Sequence, residues 1–222
     1  MTDLGMTLLS LSVLTTGIGG CVLLHHGGLA TTYVRDLLHI GAGVWVLGWP
    51  WFQGRAAPLA IVGAVALVTL AVPLLSRSNH RVARLRDTFA AGDERWSGLS
   101  LYTLAYAALT FVGFTWNAYP AAAGLLALSL GDGVGGFVGR HLGRHRYRAP
   151  GAKEKSFEGS TSVALFAALG VAIAASVFGA HVSLLVMAGL GLAAAIAEAL
   201  SPRGTDNVVV PVFVFCLAEV SS

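Results

Sequence analysis

Apolar stretches close to twenty residues long recur along this chain, and they restrict it to folds that live in a lipid bilayer. The clearest are "LGMTLLSLSVLTTGIGGCVLL" from Leu4, "PLAIVGAVALVTLAVPLL" from Pro58 and "GLSLYTLAYAALTFVGFTW" from Gly98. About 20 helical residues cross a hydrocarbon layer about 30 Å thick. A helix satisfies its own backbone N–H and C=O groups where no water can. Composition points the same way. Charged residues make up 11% of the chain, against roughly 25% in soluble domains, and the mean hydropathy is +0.73.

The pattern predicts an all-α fold: one polytopic membrane domain covering residues 1–222, with about eight transmembrane helices. The spans fall roughly at 4–24, 36–52, 58–75, 98–116, 118–139, 158–179, 182–200 and 207–220, the second and eighth being short. "MTD" precedes the first span without basic residues, and no small-residue cleavage site follows, so this span reads as a retained helix. Cys21 and Cys216 both lie in apolar segments without metal-ligand spacing, and packing accounts for them.

Charge placement gives an orientation. Two basic loops, 77–97 and 140–157, hold 11 of the 14 Lys and Arg residues. Arg35 and Arg203 join them if the spans alternate, and only Arg55 lies opposite. Basic residues concentrate on the cytoplasmic side of membrane proteins. This face is therefore expected in the cytoplasm, with both termini outside. Arg35, Asp36, His39, Asp132, Glu158, Glu198, Asp206 and Asn207 all fall near the same face. Any active site is expected there. The protein is expected to be integral and multi-pass, in the plasma membrane if its source is prokaryotic. A nucleic-acid partner is not expected, and oligomeric state is left open.

Asp132 stands inside "SLGDGVGGFVGRHLG". A carboxylate within a span is expensive and marks function by default. Asp132, Gly136, Arg140 and Arg144 recur every four residues and share one helix face. Eight residues at 1.5 Å put Asp132 about 12 Å below Arg140, a depth that suits a polar cleft. Gly131, Gly135, Gly139 and Gly143 line the adjacent face, either for close helix packing or to let a phosphate approach the backbone. Three further elements accompany it. "KSFEGS" sets Lys155 before Glu158 at a helix start, where free N–H groups and a mobile cation suit phosphate. "EALSPRGTDNVVVP" places Glu198 near the end of one span and Asp206 and Asn207 at the start of the next. "YVRDLLHIGAG" puts Arg35 and His39 on one face. Acids from three helices, Asp132, Glu198 and Asp206, suit a magnesium ion held through few protein ligands.

Taken in order, "GDGVGGFVGRHLG", "KSFEGS" and "EALSPRGTDNVVVP" resemble the membrane family of phytol kinase, dolichol kinase and CTP-dependent diacylglycerol kinase, over roughly residues 30 to 215. "RDLLHI" is similar to the family's Arg-Lys-x-x-His element, with Asp36 where a lysine is usual. The resemblance implies phosphoryl transfer from CTP to a membrane lipid alcohol such as a polyprenol, phytol or diacylglycerol. Asp132 with Glu198 or Asp206 would bind Mg2+ on the triphosphate. One of these acids, or Glu158, would orient the hydroxyl or take its proton. Arg35, Arg140, Lys153 and Lys155 would hold phosphates. Gly135, Gly136 and Gly139 would permit close approach, Asn207 would bind phosphate or base, and His39 would support the substrate. Two alternatives use similar residues: a cytidylyltransferase making a CDP-lipid, and a small ion-coupled transporter. Against the transporter, the acids gather at one face instead of along a path.

Overall fold

The computed structural model describes residues 2–90, 93–149, 153–202 and 204–221; the side chains of 93–95 and 153 also lie outside it. The helices in chain order are α1 (Asp3–His26), α2 (Thr31–Val46), α3 (Ala56–Leu75), α4 (His80–Phe89), α5 (Asp93–Thr115), α6 (Ala118–Leu142), α7 (Phe157–Phe178), α8 (Leu184–Leu200) and α9 (Asp206–Ser221). Strands β1 (Arg146–Ala149) and β2 (Lys153–Ser156) join α6 to α7 as an antiparallel hairpin.

The sequence sets most of these boundaries through caps. Ser156 starts α7 by accepting the Gly159 N–H at 3.1 Å, and Asn79 caps α4 in the same way. Gly179 ends α7 in the left-handed conformation, φ 69°, where a side chain would be strained. The second apolar segment differs from expectation: α2 begins at Thr31 and ends at Val46, followed by a single 3-10 turn, Trp49–Trp51. Pro50 lacks the N–H that would bond the Val46 carbonyl, so the α-helix does not continue through it. Arg35 and Asp36 are accommodated because that end of the helix is its polar end.

α6 is the hub. Every residue from Tyr119 to Ser129 is buried, the signature of a helix enclosed on all sides. It packs against α2, α5, α7, α8 and α9, while α1, α3 and α4 form an outer layer. Close approach is bought with glycine: a Cβ on Gly124 would lie 2.3 Å from the Pro211 carbonyl oxygen of α9, and one on Gly170 2.7 Å from the Leu126 backbone. The outer surface is apolar, with Leu67, Leu74, Leu165 and Leu185 all largely exposed, as lipid contact requires.

Five helices are long and apolar enough to cross a membrane: α1, α3, Trp96–Thr115 of α5, α6 and α7. The segments expected as spans two, seven and eight form helices of 16, 17 and 16 residues. At 1.5 Å per residue these reach only about 24–26 Å, so length alone supports five spans, not eight. The two basic loops carry regular structure of their own: residues 80–89 form α4, and 146–149 pair with 153–156, the only sheet among the described residues.

Candidate active site

The polar residues named from the sequence gather at one end of the bundle, where α2, α5 and α9 begin and α6 and α8 end. Asp132 of α6 meets His39 of α2, with Oδ2 3.2 Å from Nδ1. The histidine is buried and the carboxylate is about one-third exposed. The approach is not aligned as a hydrogen bond, and Nδ1 has no such partner among the described residues. The imidazole lies against Tyr102 of α5, ring centroids 4.3 Å apart. The Tyr102 hydroxyl donates to the His39 carbonyl and lies equally close, 3.4 Å, to the Ser129 hydroxyl. The phenol thus fixes the backbone that carries His39 and covers the back of the ring.

One turn out along α2, Asp36 binds the Arg140 guanidinium of α6. Arg140 also lies over the Tyr33 ring, 5.1 Å from its centroid. Gly136 makes room for this pair, since a Cβ there would sit 3.1 Å from Arg140 Nη1 and 3.5 Å from Asp36 Oδ1.

The hairpin delivers Lys155. In its register Tyr147 faces Lys155 and Arg148 faces Glu154, and directly paired residues share a sheet face. Tyr147 reaches inward to the Ser160 hydroxyl at 2.7 Å. Lys155, on the same face, binds the Glu198 carboxylate and donates to the Glu198 carbonyl at 3.0 Å. Glu158 has a different task. Its carboxylate accepts the N–H groups of Arg144 and His145, each at 3.2 Å, and lies 2.6 Å from His145 Nδ1. It therefore clamps the turn from α6 into β1 and so positions the strand pair that carries Lys155.

Asp206 and Asn207 open α9. The Asp206 carboxylate accepts the Asn207 N–H at 3.1 Å. Asn207 is buried, donates through Nδ2 to the Gly204 carbonyl at 3.2 Å, and keeps Oδ1 without a hydrogen-bond partner among the described residues. Charge links the elements. Glu198 is within electrostatic reach of Asp132 and Asp206, Asp36 of Asp132 and Arg35, and His39 of Arg35 and Asp206. The buried Nε of Arg35 also lacks a partner among the described residues.

The expected residues divide accordingly. Asp132, Glu198, Asp206, Asn207, Arg35, His39, Arg140 and Lys155 lie at one end, where Asp132 meets His39, Arg140 meets Asp36 and Lys155 meets Glu198. Gly135 and Gly139 face α7: a Cβ on Gly135 would lie 2.3 Å from Val163 Cγ2, while one on Gly139 would meet Gly159 and Ser156 at an ordinary 3.6 Å. The Lys153 side chain lies outside the described residues. Three contributors carried too little sequence signal to be singled out. Tyr102 and Ser129 read as ordinary members of apolar spans, and His145 as a solvated loop residue.

For a metal, the acids offer hard oxygen donors of the right kind, but among the described residues no three His, Cys, Asp or Glu side chains are grouped closely enough to hold an ion. That fits Mg2+ only as an ion shared with a ligand, since it is commonly bound through one or two carboxylates plus substrate phosphates.

No family model matches the chain, and no solved structure does. The chain is similar to a phytol kinase of Synechocystis sp., with 33% identity over 183 residues, covering 80% of this chain and 74% of that protein. The aligned length takes in most of the bundle, and with it the chain belongs to the family of membrane lipid alcohol kinases that includes phytol kinase.

Proposed function

We propose that this kinase transfers the terminal phosphoryl group of CTP to the hydroxyl of a membrane lipid alcohol, such as phytol, a polyprenol or diacylglycerol, at the basic end of the bundle. The observation that supports the reading is that Glu198, paired with Lys155, lies within electrostatic reach of Asp132 and Asp206 from two other helices, at the end that also carries Arg140 and Arg35. Phosphoryl transfer depends mainly on positioning and charge neutralisation. A lipid alcohol brings its hydroxyl to the membrane surface and a nucleotide arrives from water, so the two meet where helices end. The hydroxyl oxygen bonds to the γ-phosphorus, the bond from that phosphorus to the bridging oxygen breaks, and CDP leaves. The alcohol proton passes to one of the carboxylates.

In this reading Lys155, Arg140 and Arg35 receive phosphate oxygens, and Asn207 offers its unmet Oδ1 to a donor on the nucleotide. His39 braces Asp132, and Glu158 holds the hairpin in place. Mg2+, when bound with the triphosphate, would offset phosphate charge, held through Asp132 with Glu198 or Asp206. The basic end faces the cytoplasm, where the nucleotide is. The test is purified protein offered CTP with each lipid alcohol, the products identified by mass spectrometry. CDP and a lipid monophosphate are expected. Pyrophosphate and a CDP-lipid would make the protein a cytidylyltransferase, and no product from any alcohol would overturn the reading.

A further inference from the structure

Two of the cations assigned to phosphate, Lys155 and Arg140, are already occupied. Lys155 holds the Glu198 carboxylate and Arg140 holds that of Asp36, each across two different elements. The Lys155 and Glu198 side chains are 12% and 14% exposed, so water weakens their attraction little. Yet Glu198 also lies within range of two further carboxylates, Asp132 and Asp206. A triphosphate entering this end adds more negative charge to an acidic group and docks only if the cations turn towards it. Lys155 can do so without moving the hairpin, because its charge rides on a flexible four-carbon stem.

From this we infer that Glu198 and Asp36 are internal stand-ins for the nucleotide phosphates, and that nucleotide binding exchanges Lys155 and Arg140 from carboxylate to phosphate. The inference rests on the kinase reading above and adds a regulation to it. The Glu198 carboxylate becomes available for the transfer only once a nucleotide has taken its lysine. The alcohol is then activated only after the nucleotide is in place.

A merely structural ion pair would fasten the hairpin to α8 equally well, and binding measurements separate the two. CTP binding to the full-length protein in detergent is measured by calorimetry, without lipid alcohol, with EDTA present to remove divalent ions. Glu198→Gln removes the competing charge and is expected to bind CTP about tenfold more tightly than wild type, while turning over more slowly; tenfold corresponds to about 1.4 kcal/mol. Lys155→Met is expected to bind about tenfold more weakly, and adding Glu198→Gln to it should change nothing further, because the gain requires the lysine. Asp36→Asn, which frees Arg140 at a more exposed position, should tighten binding a few-fold and stands in should Glu198→Gln fail to fold. Wild-type or weaker CTP affinity in these carboxylate variants, with the wild-type protein active, overturns the exchange and leaves the kinase reading intact. A wild-type protein that neither binds CTP nor phosphorylates a lipid overturns both.

Discussion

The two ends of the bundle solve the same problem with different residues. At the end opposite the candidate site, Trp45 with Trp49, Trp49 with Phe178, and Phe52 with Phe114 pack edge to face beside an apolar pocket of about 340 Å3, lined by Trp49, Pro50, Phe114 and Phe178. The acids there bind loop and terminal donors. Asp3 accepts the Gln53 N–H at 2.6 Å, and Glu219 accepts Trp116 Nε1 at 3.0 Å and Asn117 Nδ2 at 3.1 Å. Aromatic rings with one polar edge suit a membrane–water boundary. At the basic end Asp132, Asp36 and Glu198 instead meet a histidine or a cation from another element. Asp132 sits about three helical turns inside α6, where neither capping nor anchoring requires a charge. A charge placed where the fold does not call for it is the reason for proposing this end as the working one.

The comparison is broken most severely at Asp132. Asp132→Asn keeps the shape of the side chain and its place beside His39 but removes the charge. Lipid phosphate formation is expected to fall by about 10²–10⁴-fold, with the protein still extracted as a folded species. Turnover within a factor of a few of wild type would remove Asp132 from the centre of the site.

A smaller effect separates packing from substrate approach in the glycine row. Gly135→Ala drives a methyl into Val163 and is expected to destabilise by about 1–3 kcal/mol, read as a lower melting temperature. Val163→Ala should restore it, because the clash is with a side chain. Gly139→Ala meets only ordinary contacts, so its melting temperature should hold. Loss of activity in Gly139→Ala at unchanged stability would mean that a phosphate approaches there. Loss of both in Gly135→Ala with no rescue would mean that the row does more than pack.

Much of this was legible in the sequence. Asp132 could be found because a carboxylate in an apolar run has few structural reasons to be there, and Glu198 for the same reason within "LGLAAAIAEAL". Helix period placed Arg35 with His39 and Asp132 with Arg140, and the structure sets those two faces against each other. The rest depends on facts that one chain segment does not contain. Lys155 reaches Glu198, 43 residues away, because a hairpin turns it inward. The alternation and the Pro150–Gly151 turn signal of "RYRAPGAKEKS" are consistent with that hairpin, yet a short polar stretch with several bases reads more readily as a solvated loop. Glu158 looks like a catalytic acid beside Lys155 in sequence, and only the folded turn shows backbone N–H groups closing on it. Gly135 and Gly136 are neighbours in sequence and differ by about 100° around the helix, so one meets α7 and the other the Arg140–Asp36 pair.

The smallest expected effect is at Glu219. The hydrogen bonds from Trp116 and Asn117 tie α9 to the joint between α5 and α6, but Trp116 is 79% exposed, and contacts open to solvent contribute little, at most about 1 kcal/mol. Glu219→Gln keeps one acceptor and removes the charge, so the melting temperature should move by no more than a few degrees and lipid phosphate formation should not change. The same measurement made beside Asp132→Asn sets the contrast between the ends: two acids on neighbouring helices, one neutralised without consequence and the other not. A drop in turnover of tenfold or more in Glu219→Gln, with the fold intact, would mean that the aromatic end takes part in handling the lipid, and the division of labour between the two ends would have to be redrawn around the pocket at Trp49 and Phe178.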